Sequence, residues 1–321
     1  MAATPSRTDA TGSLDTDLIV IGGGPAGCAA ASMAASVGMR SVLIEPDRLC
    51  RNLYRITALN NVLGGYTDGV ELADAITAQL TSTRLCRLEL GRHATGLHAH
   101  GNHVTVTLDT ATLGTATLDT ATRLTAPYAV VATGVGPLQP RDVPWITAPP
   151  VPTPPPLWRA GADDAEGRTL LILGGDRTTG TFLRAHPHTD TRLLVAFPPG
   201  DDYKTEELRE DPRVTLLPVE HLTLHTSASA ATAEILDRSG ERRQVAADAA
   251  FLAIGNAPTA PPGDLVRDTA GYCRPADQHP RVIIAGDLRS ARYQRVMTAL
   301  GSGSEAALHA YYAAQGLTPH M

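Results

Sequence analysis

Residues 18–27 read Leu-Ile-Val-Ile-Gly-Gly-Gly-Pro-Ala-Gly, an apolar run that opens directly into a glycine turn. The run predicts a buried strand, and the Ala-rich segment from Cys28 to Val37 predicts a helix after the turn. Gly22, Gly24 and Gly27 fit the pattern G-x-G-x-x-G, whose glycines allow a tight turn, close approach of backbone N–H groups to a pyrophosphate, and close helix–strand packing. The stretch therefore predicts a dinucleotide site at a helix N-terminus. The alternative is a plain strand–helix junction.

A second apolar run supports the dinucleotide prediction. Ser41 to Ile44 predicts another strand, and it ends at Glu45, about 20 residues after the turn, where an acidic side chain accepts hydrogen bonds from ribose hydroxyls. The alternative for Glu45 is an ordinary solvated strand end. Strands that alternate with helices in this way predict the α/β fold class.

Length and charge limit the class of protein. A chain of 321 residues predicts two domains. The 33 acidic and 27 basic side chains give a net charge of −6 without a dense run of Lys and Arg, so neither nucleic acid nor a membrane surface is expected as a partner. No apolar stretch reaches about 18 residues, and no membrane span is predicted. Residues 1–16 are polar, lack the apolar stretch of a signal peptide and are predicted to be a loose tail, so we expect a cytoplasmic protein.

The cysteines are Cys28, Cys50, Cys86 and Cys273, and no two of them form a C-x-x-C pair. This spacing argues against a zinc site and against a local redox disulfide, so reduced structural thiols and no metal are predicted. Cys28 is interpreted as a small apolar packing residue of the first helix.

The rest of the chain contains two blocks of predicted elements joined by a Pro-rich segment. A helix over 70–85 precedes a β-meander over 88–124, in which Leu-Asp-Thr-Ala-Thr at 108–112 and 118–122 predicts a hairpin extension. Residues 137–156 are predicted to be a linker or a lid without regular helix or sheet. The remaining predicted elements are strands over 128–134, 169–173, 192–197, 214–217, 250–255 and 281–287, a helix after 176, a hairpin around Ser239-Gly240, and a helix of small residues from Val296 to Ala314.

This order of motifs resembles that of the small two-domain flavoproteins of the thioredoxin reductase class, over nearly the whole chain. The matching segments are Gly22–Gly27, Thr133-Gly134, Ala253–Pro258, Gly286-Asp287 and Thr298–Gly303. The resemblance implies two Rossmann-like, three-layer ββα nucleotide-binding domains, the second inserted in the first. Residues 1–137 and 259–321 would bind FAD, residues 138–258 would form an NAD(P)H-binding-like domain, and the protein would be a homodimer. A looser resemblance, carried by Arg51-Asn52 and by Asn61-Val62-Leu63-Gly64, is to the branch with gliotoxin- and holomycin-type dithiol oxidases.

Carried over residue by residue, the resemblance implies FAD as the cofactor. Glu45 would bind the adenosine ribose, Asp287 a ribityl hydroxyl, and Asn61 would lie beside the isoalloxazine. The backbone at Arg295 would meet the C2 carbonyl, where the start of a helix favours negative charge. The implied cofactor-binding residues, including His93 and Ala94 at the adenine, are Gly22, Gly24, Pro25, Ala26, Gly27, Glu45, Arg51, Asn52, Asn61, His93, Ala94, Thr133, Gly134, Gly286, Asp287, Arg295 and Val296.

Three features of the second block depart from the family pattern. The family has a C-x-x-C pair before its second glycine turn, whereas residues 151–159 contain prolines and no cysteine, so no dithiol relay is expected there. In the turn itself Asp176 replaces a glycine and would repel a pyrophosphate. Phe197 and two prolines end the next strand, where the family has basic residues for the 2′-phosphate of NADP. The alternatives are a substitute cysteine elsewhere, and an Arg177 that neutralises Asp176 so that NADH binds.

These observations predict an FAD-dependent oxidase or dehydrogenase that takes a hydride from a small organic substrate, with O2 or another acceptor, without a redox disulfide and without NADPH. The candidate catalytic residues are Arg295, Tyr54 and Tyr293, and Arg295 replaces a neutral glutamine of the family; surface or core roles are the alternatives. Composition and the dithiol-oxidase-like segments predict specialised-metabolite biosynthesis. The alternative functions are an electron-transfer partner reduced by ferredoxin or NADH, and a non-catalytic flavin-binding scaffold.

Overall fold

The computed structural model describes residues 15–56, 59, 61–109, 112–113, 116–117, 122–150, 152–226 and 230–317. The chain divides into two compact units. The first unit is Met1–Val135 with Pro258–Met321, and the second unit is Gly136–Ala257. Each unit contains a parallel sheet, a second sheet with antiparallel strands and hydrophobic cores of its own.

The described elements follow in chain order. The strands are β1 (Leu18–Ile21), β2 (Ser41–Glu45), β3 (Cys86–Leu90), β4 (Ala94–Ala99), β5 (Val104–Leu108), β6 (Thr112–Leu113), β7 (Ala116–Thr117), β8 (Arg123–Ala126), β9 (Tyr128–Val131), β10 (Val135–Pro137), β11 (Ile146–Thr147), β12 (Arg168–Leu173), β13 (Thr191–Phe197), β14 (Val214–Pro218), β15 (His221–Thr226), β16 (Ala231–Leu236), β17 (Arg242–Ala247), β18 (Ala249–Leu252), β19 (Asn256–Pro258) and β20 (Val282–Ile284). The α-helices are α1 (Pro25–Ser36), α2 (Gly69–Ser82), α3 (Ala162–Ala165), α4 (Thr178–Ala185) and α5 (Val296–Ala314). Short 3₁₀ helices cover Leu53–Arg55, Pro140–Asp142, Leu157–Arg159, Pro199–Lys204, Glu206–Leu208, Pro275–Asp277 and Gly286–Arg289.

The first unit has three layers. Its parallel sheet has the order β20-β9-β1-β2-β3, and β1 is buried throughout. Because side chains alternate along a strand, Leu18 and Val20 pack in a core with the helices, whereas Ile19 and Ile21 pack in a core with the antiparallel sheet β4-β5-β8. A strand covered on both faces is what a continuous apolar run favours. The α/β fold class and the ββα layering are thereby confirmed.

Small residues let the helical layer approach the glycine turn. A Cβ atom at Gly303 in α5 would collide with the carbonyl group of Ala26 in α1, so glycine is required at this crossing. The neighbouring Ser302 hydroxyl accepts a hydrogen bond from the backbone N–H of Gly286, at 2.9 Å. The last helix therefore packs directly on the first turn and helps to hold the segment after β20.

The second unit repeats the same layering. Its parallel sheet has the order β14-β13-β12-β18, and its second sheet has the order β11-β15-β16-β17, in which β15, β16 and β17 are antiparallel and β11 pairs with β15 in parallel. Leu171 and Leu173 of β12 pack toward the second sheet, whereas Leu170 and Ile172 pack in a core with Phe182 of α4. Both units therefore place a glycine turn directly after a central strand of a parallel sheet.

Three predicted segments differ from the structure. Leu88 lies in β3 of the parallel sheet rather than in the meander, which consists of β4, β5 and β8. Within the Pro-rich segment, Ile146–Thr147 forms β11 and pairs in parallel with Leu222–Thr223, because residues 145–148 contain no proline and their backbone groups can join a sheet. The first helix begins at Pro25 instead of Cys28, since proline is accepted in the first turn of a helix.

The structure also corrects the predicted loose tail at its end. The backbone N–H of Asp15 donates to the carbonyl of Thr125 at 3.0 Å, and Thr16 is buried with its hydroxyl bonded to the carbonyl of Arg40 at 2.8 Å. Residues 1–14 lie outside the described residues, as do residues 110–111 and 118–121 of the predicted hairpin extension. The predicted helix over 296–314 is confirmed with the same bounds.

Within the described ranges, no helix combines the length and the hydropathy that crossing a membrane requires. The same residues contain no group of three or more His, Cys, Asp and Glu side chains that could hold a metal ion.

Candidate functional site

The glycine turn after β1 is closed by two glycines and left open at a third. Gly22 has a φ of +104°, and its N–H donates to the carbonyl of Ile44 at 2.8 Å; a Cβ atom there would lie 2.6 Å from the carbonyl oxygen of Ala132. A Cβ atom at Gly27 would collide with the carbonyl oxygen of Gly22. At Gly24, by contrast, a Cβ atom would meet nothing within 4 Å. The turn is therefore tightly packed on the protein side and open at Gly24.

Helix α1 presents a bare N-terminus at this opening. Gly24 is its N-cap, Pro25 occupies the first turn, and neither a side-chain cap nor an acidic residue is present there. Among the described backbone hydrogen bonds, none is donated by Gly24. Unpaired N–H groups and the positive end of the helix dipole are the features that hold a phosphate group.

Glu45 is oriented toward the same turn by backbone groups. Its Oε2 atom accepts a hydrogen bond from the N–H of Gly23 at 2.7 Å, and its Oε1 atom accepts one from the N–H of Asp47 at 3.1 Å. The side chain is half-buried at the end of β2. An ionised carboxylate has further lone pairs, so Glu45 can accept hydrogen bonds from a ligand hydroxyl while it stays fixed.

The same edge of the sheet carries the ends of β9 and β20. Thr133 follows β9, and its Oγ1 atom is buried without a hydrogen-bond partner among the described residues. Gly286 has a φ of +70° and precedes Asp287. Burial raises the pKa of Asp287, and the positive charge of Arg295 offsets part of that rise. Because β20, β9, β1 and β2 are neighbours, their carboxyl ends form one continuous edge. Parallel α/β sheets bind ligands at this edge.

The segment implied for adenine lies beside Glu45. The N–H groups of Gly91 and Arg92 both donate to the backbone carbonyl of Glu45, and the N–H of His93 donates to the carboxylate of Asp109 at 2.8 Å. Ala94 opens β4 opposite Leu108. The structure therefore brings residues 91–94 to the end of β2 that carries Glu45.

Three of the other predicted cofactor residues have weaker links to the turn. Arg51 forms an ion pair with Asp47 at 3.4 Å, close in sequence to Glu45. Asn52 precedes a short 3₁₀ helix, and Asn61 is exposed. No described hydrogen bond connects Asn61 with the edge formed by β1, β9 and β20.

No described hydrogen bond or ring contact joins the three candidate catalytic residues to one another. Arg295 is the exposed N-cap of α5, and Val296 is the first residue of the helix. The positive charge of Arg295 lowers the pKa of Asp287. Tyr293 is 80% exposed at a φ of 62°, and its carbonyl accepts a hydrogen bond from the Thr298 hydroxyl at 2.5 Å.

Tyr54 belongs to a different set of contacts. Its hydroxyl donates to Asp74 of α2 at 2.7 Å, and the Arg48 guanidinium lies 3.7 Å from the centre of its ring. The hydrogen bond to Asp74 and burial raise the pKa of Tyr54. The described contacts therefore connect Tyr54 with α2, whereas Arg295 is related to Asp287 through its charge alone.

The glycine turn of the second unit starts in the same way and then differs. Gly174 has a φ of +109°, and its N–H donates to the carbonyl of Ala196 at 2.7 Å, as Gly22 donates to Ile44. The residue after Ala196 is Phe197, which therefore corresponds to Glu45 and is 1% exposed. A buried phenyl ring stands where the first unit has its carboxylate.

The backbone of the second turn is also occupied by internal hydrogen bonds. Asp176, at the position of Gly24, donates its N–H to the carbonyl of Ala253 at 3.0 Å. Thr179, at the position of Gly27, is buried with an Oγ1 atom that lacks a partner among the described residues. Helix α4 begins at Thr178, the fourth residue after Gly174, whereas α1 begins at the third residue after Gly22. In the described part of the chain Asp176 forms no ion pair, and Arg177 is exposed.

One close contact of the first unit could not be read from cysteine spacing. Cys28 and Cys50 are 22 residues apart, yet their Sγ atoms lie 3.7 Å from each other beside Gly23. Ser302, which holds Gly286, was also missed, because a serine in a helix of small residues carries no distinguishing signal.

Comparisons with known proteins concern part of the sequence and the fold. Residues 16–149 match the sequence family described as pyridine nucleotide-disulphide oxidoreductase. No curated protein matches the chain. The thioredoxin reductase of Lactococcus lactis superposes with a TM-score of 0.70 at 18% identity, covering 94% of this chain and 100% of that one. The T. acidophilum thioredoxin reductase gives 0.70 at 16% identity, with 94% and 99% covered. The bacillithiol disulfide reductase Bdr from Bacillus cereus gives 0.66 at 15%, with 93% and 99% covered. At these identities the structural likeness establishes a shared fold.

Proposed function

Since the chain carries a pyridine nucleotide-disulphide oxidoreductase domain on a thioredoxin reductase-like fold, we propose that it is an FAD-dependent oxidoreductase acting on a small organic substrate. The observation that carries the proposal is the contrast between the two glycine turns. The turn at Gly22 has open space at Gly24, whereas in the turn at Gly174 the N–H of Asp176 is hydrogen-bonded to Ala253 and a buried Phe197 replaces the acidic residue.

The first unit fits FAD on features of its own. The bare start of α1 at Gly24 would hold the pyrophosphate, and the oriented carboxylate of Glu45 would bind the adenosine ribose. The unpartnered Thr133 hydroxyl marks a polar position that a ligand would satisfy. Asp287 would accept a ribityl hydroxyl, and Arg295 and Val296 would meet the isoalloxazine at the start of α5. When bound, FAD supplies the capacity to accept and pass on electrons.

The residues of the chain contribute binding, orientation and charge. Arg295 and the positive end of the α5 dipole favour negative charge at this edge of the sheet, which makes acceptance of electrons there more favourable. Tyr293 is an exposed aromatic side chain two residues before Arg295, so we place it next to the substrate. Tyr54 is the third proposed catalytic residue. Its hydroxyl donates a hydrogen bond to Asp74, so it would meet the substrate as a hydrogen-bond acceptor.

The proposal excludes NADPH as the electron source. A dinucleotide at the second turn would need the N–H of Asp176, which is bonded to Ala253, and a ribose partner in place of Phe197. The acidic side chain of Asp176 adds charge repulsion toward a pyrophosphate. Electrons therefore enter from the substrate and leave to O2 or another acceptor, without a dithiol relay between residues 151 and 159, which contain no cysteine. A role in specialised-metabolite biosynthesis and a homodimeric state complete the proposal.

Anaerobic spectroscopy of the purified chain tests this proposal. The protein should carry a yellow flavin spectrum, and neither NADH nor NADPH should bleach it rapidly without oxygen. Bleaching by either nucleotide would overturn the claim about the second unit, and a colourless protein that takes up no FAD would overturn the whole proposal. A substrate should bleach the flavin and yield peroxide in air. Bleaching only by a reduced ferredoxin would instead identify an electron-transfer partner.

A further inference from the structure

Two buried cysteines of the first unit lie against the glycine turn. Cys28 is in α1 and Cys50 is in the loop after β2, and their Sγ atoms are 3.7 Å apart. Their exposed fractions are 1% and 0%. All four cysteines of the chain are free thiols, and this is the closest described approach of two of them.

Both cysteines converge on one carbonyl group of the turn. The Sγ of Cys28 donates to the backbone oxygen of Gly23 at 3.2 Å, and the backbone N–H of Cys50 donates to the same oxygen at 2.7 Å. The N–H of Gly23 in turn donates to Glu45 at 2.7 Å. Cys50 has a φ of 55°, a left-handed conformation that is uncommon for a residue with a side chain. The pair is therefore coupled directly to the backbone that orients Glu45.

We propose that Cys28 and Cys50 form a disulfide on two-electron oxidation by a peroxide, and that the bond stiffens the cofactor-binding turn. One sulfur attacks a peroxide oxygen, so that an S–O bond forms, the O–O bond breaks and one water leaves. The second sulfur then attacks the first, so that the S–S bond forms, the S–O bond breaks, and the hydroxyl leaves as a second water with the remaining thiol proton. The two thiols lose two electrons and hydrogen peroxide gains them.

The geometry requires a small movement. A disulfide bond is about 2.05 Å long, so the sulfur atoms must approach by about 1.7 Å, which side-chain rotation and a shift of the loop after β2 can supply. The hydrogen bond to Cys50 and burial raise the pKa of Cys28, so its thiol keeps its proton at neutral pH and the pair reacts slowly. The bond would tie the first turns of α1 to the loop that carries Cys50, and would keep these two walls of the turn from separating.

Mass spectrometry of the oxidised whole chain tests bond formation. The reduced, folded protein is incubated with excess hydrogen peroxide, free thiols are then alkylated, and the chain is digested without reduction. We expect a linked pair of peptides containing Cys28 and Cys50, lighter by two hydrogen atoms than the separate peptides. Cys28→Ala or Cys50→Ala should abolish the linked species, and Cys273→Ala, at an equally buried cysteine of the other core, should retain it. The wild-type result decides the matter even if a variant fails to fold.

Two results would overturn bond formation: thiols that all remain free or become sulfinic and sulfonic acids, or a bond that links Cys28 to Cys86 instead. The effect on the turn rests on the proposed function, because its readout is release of FAD. We expect FAD to leave the oxidised protein at about one third of the rate at which it leaves the reduced protein, or more slowly. Dithiothreitol should restore the faster rate. An unchanged release rate with the disulfide present would reject the stiffening alone. A protein that binds no FAD but forms the disulfide would reject the proposed function and leave the bond established.

Discussion

Glu45 and Phe197 occupy corresponding positions in the two units, each directly after the residue whose carbonyl accepts a hydrogen bond from the first glycine of a turn. Glu45 is half-buried and directs a carboxylate at Gly23, whereas Phe197 is packed in the core of the second unit. The same strand–turn–helix geometry therefore ends in a polar ligand group in one unit and in an apolar side chain in the other.

Asp176→Gly should leave the protein unable to use NADH or NADPH. The substitution removes the charge, but the backbone N–H at position 176 still donates its hydrogen bond to the carbonyl of Ala253. Thr179 still occupies the position of the third glycine, and the buried Phe197 still occupies the position of the acidic residue. The measurement is the anaerobic rate of flavin bleaching by each nucleotide, with Arg177→Gly as a control for altered flexibility of the turn. Rapid bleaching of Asp176→Gly would show that charge repulsion alone blocks the site.

Gly24→Ala and Gly27→Ala should separate cofactor binding from folding. Gly24 has a φ of −73° and open space around it, so alanine should be neutral for stability within about 1 kcal/mol, while its methyl group at the ligand side weakens FAD binding about tenfold or more. At Gly27 a Cβ atom collides with the carbonyl of Gly22, so alanine should cost about 3 kcal/mol or prevent folding. Thermal unfolding and FAD titration measure the two effects. Equal loss of stability in both variants would contradict this assignment of the open position.

Glu45→Ala should weaken FAD binding about tenfold to a hundredfold, because it removes the proposed charge-assisted hydrogen bonds to the ribose and leaves the N–H of Gly23 without its acceptor. Glu45→Gln keeps an acceptor for that N–H and should lose less. Glu89→Ala is the matched control, since Glu89 lies on the neighbouring strand β3 and pairs with Arg87. Isothermal titration of the apoprotein gives the three affinities. Equal FAD affinity of the wild type and Glu45→Ala would remove Glu45 from the site.

Asp287→Asn should make the apoprotein more stable at neutral pH. Burial raises the pKa of Asp287, so the folded chain binds its proton more tightly than the unfolded chain, and stability falls as the pH rises from the ordinary value of 3.8 through the raised value. Asparagine removes this loss, and the stability difference from the wild type should vanish at pH values below 3.8. Thermal unfolding across pH measures the effect. Asp277→Asn, at an exposed position, controls for the loss of one negative charge. A larger difference at acidic than at neutral pH would reverse the assigned sign.

Arg295→Gln should slow reduction of the flavin by substrate about tenfold, because it removes a positive charge at the start of α5. Stability should change little, since the side chain is exposed and bonds mainly to the adjacent carbonyl of Gln294. Arg292→Gln, also exposed and three residues away, is the control. Stopped-flow bleaching under anaerobic conditions compares the variants. Equal rates for both would mean that Arg295 is a surface residue without a role in the reaction.

Local patterns predicted most of the fold. The buried run at Leu18, the glycine turn and the helix beginning at Val296 are each determined by neighbouring residues, and the structure contains all three. β11 was missed because a Pro-rich composition hid a short segment whose partner, Leu222–Thr223, is distant in sequence. The sequence shows that Asp176 replaces a glycine of the second turn. The hydrogen bond from its N–H to the carbonyl of Ala253 could not be predicted, because it depends on tertiary packing. The approach of Cys28 to Cys50 likewise depends on where β2 ends, and the spacing of the two cysteines in the sequence does not predict it.

The crossing of Gly303 over Ala26 has a consequence for biosynthesis. The glycine turn after β1 precedes the second unit in the chain, but its packing partner in α5 and the strand β20 follow that unit and are translated later. A nascent chain that has emerged only as far as Ala257 lacks one edge of the first parallel sheet and the helix that covers α1. The packing of the first unit around α1 is therefore completed only after α5 has been synthesised, whereas the residues of the second unit are contiguous and are all synthesised before it.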